Sequence, residues 1–337
     1  MKQFISTDAL RTSLIVCICM MFGKLFHVNS HVYFALFPII IATKVKDYSW
    51  KGLSKTFAIV LLSAYCAVFV SEVFSDHPFI IWTISIVLFD QLRKRADSPA
   101  KVGALFMPTI NWILNVVFAL HTTMDMPQRL HEVGLAIVVS ICVTKLFLWL
   151  LPPKPKAGFG KPKSTPVTAK QRLISVSLIG LGLGFLMIVD LVSGAFCMVP
   201  VIAAATQTSR KVYLNVVKSR FVTQVGGCAI AAVFILLIAG YQSNFILYGL
   251  GLFVLIYAIT HKIYHDQGPH QELHADILLA TMLPIQLYMS NSELGLSNTF
   301  LRGWELSCTL GILALFYFLT TTKQRYVTEL HRYSSTQ

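Results

Sequence analysis

FALFPIIIATKVKDYSWKGLSKTFAIVLLSAYCAVFVSEVFSDH, residues 34–77, decides the fold. An apolar stretch runs into a loop carrying Lys44, Lys46, Lys51 and Lys55. A second apolar stretch then ends in SEVFSDH, a gap with no Lys or Arg. The same alternation of basic and bare gaps recurs along the whole chain. Of the 28 Lys and Arg residues, only Lys24, Arg129 and Arg302 fall on the side of the bare gaps, which include GYQSN (240–244) and SNSELGLSN (290–298). A bias of this kind orients polytopic membrane proteins, with the basic loops in the cytoplasm.

Composition agrees. The chain has 337 residues, 55% of them hydrophobic and 13% charged, whereas about a quarter of a soluble domain is charged. The apolar stretches are continuous rather than alternating, which excludes an outer-membrane barrel. The net charge of +13 sits in the basic loops, where topology and anionic lipids account for it, so no nucleic-acid partner is expected. The first apolar segment lacks a small-residue cleavage site and reads as a retained anchor. All seven cysteines lie inside apolar segments and none forms a CxxC, so they read as small apolar fillers rather than disulfides or metal ligands.

Spans of about 20 apolar residues cross a bilayer. They are expected, some of them short, at 11–28, 31–46, 54–72, 77–91, 102–121 and 132–151, and again at 172–190, 193–208, 220–240, 243–260, 274–290 and 301–321. The predicted fold is an all-α polytopic membrane protein of about twelve transmembrane helices, with both termini in the cytoplasm. Its halves repeat. FALFPIIIAT (34–43) resembles FCMVPVIAAA (196–205), with Pro38 on Pro200, and a basic loop follows each: KVKDYSWKGLSKTF and SRKVYLNVVKSRF. LFMPTIN (105–111) resembles ATMLPIQ (280–286), with Pro108 on Pro284. Six is an even number, so the repeats are expected to run parallel about an axis along the membrane normal. The domains are then 1–151 and 170–322, joined by the Pro- and Lys-rich linker 152–169 and followed by the tail 323–337.

Ionisable and amide side chains inside the apolar spans are the candidates for function. Lys24, near the outer end of the first span, suits either an anionic substrate or an interfacial anchor. Asp190, at a similar depth in the repeat mate, suits proton coupling or a helix end. Asn111 and Asn115 share a helix face behind Pro108, and Gln286 follows Pro284. Polar side chains on Pro-loosened helices at matching places mark a substrate path, or else hydrogen-bond neighbouring helices together. Pro38, Pro200, Pro108 and Pro284 are the expected helix kinks. Asp90 is expected to pair with the arginines that follow it, and Asp276 to cap the eleventh span. HKIYHDQGPHQELH (261–274) holds four histidines, but a Gly-Pro between the two pairs points to a solvated, pH-sensitive loop rather than a metal site. There is no GxSxG, HExxH or P-loop pattern, so no enzyme activity, cofactor or metal is expected.

The repeats, each with a Pro-centred second span and a basic loop behind it, resemble the FUSC-like family, which is fusaric-acid-resistance-like and includes aromatic-acid exporters. The resemblance is carried by FALFPIIIAT, FCMVPVIAAA and the loops behind them. It implies efflux of small organic anions, aromatic acids among them, across a bacterial inner membrane, with an HlyD-like periplasmic adaptor as partner. Larger members carry sizeable cytoplasmic domains after each membrane half, so this chain resembles a compact branch. Lipids are the other expected partners, and a homo-oligomer stays open. Two further readings remain beside export: a membrane scaffold subunit of an envelope complex, and a transporter of lipid-linked substrates.

Overall fold

Apolar runs bounded by Ser, Thr, Asp or Asn N-caps and by Pro fold into helices wherever a span was expected. The computed structural model describes residues 6–26, 28–45, 47–122, 125–153, 166–189, 191–207, 209–241, 244–266, 269–288 and 295–334. These form α1 (Thr7–Leu25), α2 (Tyr33–Lys44), α3 (Trp50–Val73), α4 (Pro78–Arg95), α5 (Pro99–His121), α6 (Met126–Leu150) and α7 (Ala169–Ile188). A 3₁₀ turn (Ser193–Cys197) leads into α8 (Met198–Ala205), followed by α9 (Arg210–Ile238), α10 (Phe245–His265), α11 (Pro269–Tyr288) and α12 (Leu296–Ser334). No strand occurs among the described residues. Side chains cap several starts: Ser6 accepts from the Ala9 N–H, Ser49 from Gly52, and Asp125 from Gln128, while Thr168 and Gln171 form a reciprocal capping box. The linker residues 154–165 lie outside the described residues.

Six helices, α3, α5, α6, α7, α9 and α10, are long and apolar enough to cross a membrane. The others depart from expectation in two ways. Polar residues enter α1, α4, α11 and α12, as in the DQLRKR end of α4 and the HQELHAD start of α11. The second and eighth segments are short. α2 has 12 residues, so it is about 18 Å long at 1.5 Å per residue, well under the ~30 Å of a hydrocarbon core. α8 has 8 residues behind a five-residue 3₁₀ turn. Tyr33–Ile41 and all of α8 are buried, so these two helices are the centre of the bundle rather than two of its walls.

The longer helices enclose them. α1 packs on α10, and α7 on α4; α2 meets α11, and α8 meets α5; α3 pairs with α5, and α9 with α11. Exchanging α1–α6 for α7–α12 exchanges these contacts. Hydrogen bonds stitch the first two seams. Between α1 and α10, Thr12 bonds Tyr264 and Ser13 bonds Thr260, each at 2.8 Å. Between α4 and α7, Trp82 Nε1 donates to the Gly180 carbonyl at 2.8 Å. Asp90 takes the same seam: it pairs with Arg172 of α7, not with the arginines next to it in sequence, because α7 lies alongside. Asp276 is not a cap. It sits inside α11 and pairs with Lys44 at 3.6 Å and Arg220 at 3.3 Å.

Pro38, Pro108 and Pro284 lie in helix interiors, whereas Pro200 is the third residue of α8. There it sits in a first turn, where its missing N–H removes no bond that an isolated α-helix would make. Pro284 removes the bond to the Ala280 carbonyl, and α9 packs tightly against α11 there. A Cβ added at Gly227 would stand 2.5 Å from the Ala280 Cβ and 2.9 Å from its backbone carbon, whereas one at Gly226 would meet nothing within 4 Å. Overpacking against backbone costs about 1–3 kcal/mol. Gly227→Ala should therefore lower the thermal unfolding midpoint of the detergent-solubilised protein, while Gly226→Ala leaves it unchanged or raises it.

Candidate functional site

α2 begins in the bundle interior, and its entry is held by side chains from α6. Glu132 accepts the backbone N–H of Asn29 at 3.1 Å and that of Ser30 at 2.7 Å. Asn29 and Ser30 lie in the turn ahead of Val32, the N-cap of α2, so Glu132 fixes the turn that leads into the helix. One turn earlier on α6, Arg129 points inward and is 3% exposed. Its guanidinium carbon lies 3.8 Å above the Phe118 ring. Asn29, Ser30, Asp125, Gln128, Arg129 and Glu132 line a cavity of about 230 Å³.

From this cavity a line of hydrogen bonds runs into the core. Arg129 Nη2 donates to the Tyr33 hydroxyl at 3.1 Å, and that hydroxyl donates to Asn111 Oδ1 at 3.5 Å. Asn111 Nδ2 donates to the Val60 carbonyl of α3 at 2.9 Å. Asn115 Nδ2 donates to the Asn111 carbonyl at 2.7 Å and to its Oδ1 at 3.3 Å. Asn111 and Asn115 are both buried, and Asn115 Oδ1 ends the line as a buried acceptor with no partner among the described residues. An unsatisfied buried acceptor costs about 1–3 kcal/mol.

The predicted residues do not converge on one point. Asn111 and Asn115 join the line on the α3 and α5 side of α2. Gln286 sits on the α1 side, where Nε2 donates to the Met20 carbonyl at 3.4 Å and lies close to Gly23. Lys24 holds its ammonium 3.8 Å above the Tyr248 ring of α10. Asp190 lies outside the described residues. In the histidine segment, the His261 and His265 rings stack at 6.0 Å. His265 Nδ1 and His274 Nε2 lie 3.3 and 2.9 Å from the Asp266 carboxylate, and these bonds hold its carboxyl below the usual carboxylate range. No group of three metal-ligating side chains forms among the described residues.

Tyr33, Arg129 and Glu132 are absent from the sequence candidates. Their signal was present as a pattern. R-x-x-E opens both α6 (Arg129, Glu132) and α12 (Arg302, Glu305), and an i, i+3 pair lies on one helix face.

Residues 8–147 match a family described as a protein of unknown function (DUF2955). The match takes in α1 to α5 and most of α6, and with them the whole cavity and its hydrogen-bonded line. No curated protein and no solved structure matches the chain.

The line separates structural from ligand-binding roles. Asn111→Ala removes the acceptor of the Tyr33 hydroxyl, the side-chain bond to the Val60 carbonyl and one of the two bonds of the Asn115 amide. Asn115→Ala removes a side chain whose oxygen bonds nothing. Unfolding in detergent should show Asn111→Ala the more destabilising by about 1–2 kcal/mol. Equal losses would refute the pairing described.

Proposed function

We propose that the chain is a membrane transporter of small organic acids, and that it carries them past α2 along the Arg129–Tyr33–Asn111–Asn115 line. The observation that carries this reading is Arg129, a permanent cation 3% exposed, which reaches from a cavity to a buried polar line ending in an open amide oxygen. Intramembrane charges of this kind are costly and mark substrate paths. Short helices that end within the protein, at matching places in two halves, are a feature of transporters with internal repeats. Large apolar side chains exposed on the outer helices, such as Phe69, Trp149, Ile188, Leu237 and Ile246, suit contact with lipid.

In this reading the substrate carboxylate meets Arg129 at the cavity, the role first expected of Lys24. Asn111 and Asn115 orient the rest of the molecule. Of the two carboxylates at the cavity, Asp125 and Glu132, Glu132 holds the N–H groups of Asn29 and Ser30 and takes the proton-coupling role expected of Asp190: the substrate competes with it for those groups, and protonation releases them. In the same proposal the chain has twelve spans with both termini inside and parallel repeats over 1–151 and 170–322, lies in a bacterial inner membrane, and exports its substrate with an HlyD-like adaptor as in the FUSC-like family.

The test is growth of a deletion strain on a panel of aromatic and aliphatic acids, with genes for the wild type, Arg129→Gln and Glu132→Gln restored in turn. Sensitivity to one acid class should be rescued by the wild type only, with Arg129→Gln at least tenfold weaker at equal membrane abundance. Rescue by Arg129→Gln would refute the path. An unchanged deletion strain would favour a scaffold subunit.

A further inference from the structure

Arg302 repeats the position of Arg129 in the second half. It is 2% exposed, one of the largest fully buried side chains, and its guanidinium carbon lies 4.8 Å above the Phe196 ring in the 3₁₀ turn. Its Nε and Nη1 have no partner among the described residues. Glu305 follows one turn on. One of its oxygens accepts from the Ser193 hydroxyl at 2.6 Å, and the other is buried with no partner among the described residues. Tyr288 borders the guanidinium, as does the pair Cys197 and Cys228.

Two donors of a fixed cation and one carboxylate oxygen therefore lie buried and unbonded at the entry to α8. Desolvated groups of this kind are costly unless something bonds them. Arg302 and Glu305 do not satisfy each other through these atoms. What would satisfy them has an anionic end for the guanidinium and a hydroxyl donor for Glu305, next to the aromatic rings of Phe196 and Tyr288.

We propose that Arg302, Glu305 and Ser193 form a second binding site, for a small hydroxycarboxylate. It stands on its own residues and does not depend on the site at Arg129. The test is equilibrium dialysis of the purified full-length protein in detergent against labelled 4-hydroxybenzoate and benzoate. The wild type should bind more than one equivalent of 4-hydroxybenzoate. Arg302→Gln should lose one equivalent, and Arg302→Lys should weaken that site at least fivefold while keeping the charge. Glu305→Gln should narrow the preference for 4-hydroxybenzoate over benzoate. Should Arg302→Gln fail to fold, Arg302→Lys and Glu305→Gln decide the matter. Binding identical to wild type in these variants overturns the proposal. Loss of one equivalent in Arg129→Gln with none in Arg302→Gln would uphold the first site and sink this one. The reverse pattern would do the opposite.

Discussion

A helix that ends inside a membrane protein leaves N–H and C=O groups that lipid cannot satisfy. Both central helices impose this constraint, and much of the buried polar chemistry answers it. In the turn that leads into α2, Glu132 accepts two backbone N–H groups. At the end of α8, Ser175 donates to the Ala205 carbonyl at 2.5 Å and Arg93 Nη2 to the Thr206 carbonyl at 2.9 Å. The signs agree with the helix dipole, with a carboxylate at an N-terminal end and a guanidinium at a C-terminal one. Arg93 also donates to Ser175 and to the Ala96 carbonyl, so one side chain fastens α4, α7 and the end of α8 together.

The same constraint explains why the site falls where it does. A full-length span would carry its ends to the interface, where water satisfies them. A half-length one brings its ends, and the charges that satisfy them, into the bundle. Arg129 and Glu132 lie on one face of α6, so the turn that caps α2 also puts a cation beside it. Tyr33, the first residue of α2, then passes the hydrogen bonding on to α5. Phe196 and Arg302 stand in a similar relation at the entry to α8. The two halves therefore place the same chemistry at the same element, and they cross-pack through α1 with α10 and α7 with α4.

Hydropathy alone locates the helices, because an apolar run must hydrogen-bond its own backbone wherever it meets lipid or core. It does not give the lengths of α2 and α8. FALFPIIIAT and FCMVPVIAAA are as apolar as any span, and the groups that hold their flanks come from far along the chain: Glu132 for the turn before α2 and Arg93 for the carbonyl after α8. Asn111 and Asn115 were legible as a buried amide pair on one helix face, and the bond from Asn111 to the Val60 carbonyl fits the reading in which they tie neighbouring helices together. Arg129 and Arg302 were counted only as charges on the side of the bare gaps, because a charge near the end of an apolar run ordinarily needs no other explanation. Only the shared R-x-x-E spacing distinguishes them, and it gains meaning once each pair is seen to hold the entry to a buried helix. The partner of Asp90 was misread for a related reason: sequence neighbours were weighed above Arg172, which only packing brings near.

In the proposed function this bundle itself moves carboxylates. The decisive measurement uses purified protein in liposomes loaded with unlabelled benzoate and diluted into a trace of labelled benzoate. Label should accumulate transiently above its equilibrium level, and liposomes holding Arg129→Gln should show no such accumulation. Uptake no faster than in empty liposomes, across a panel of aromatic and aliphatic acids, would contradict that function.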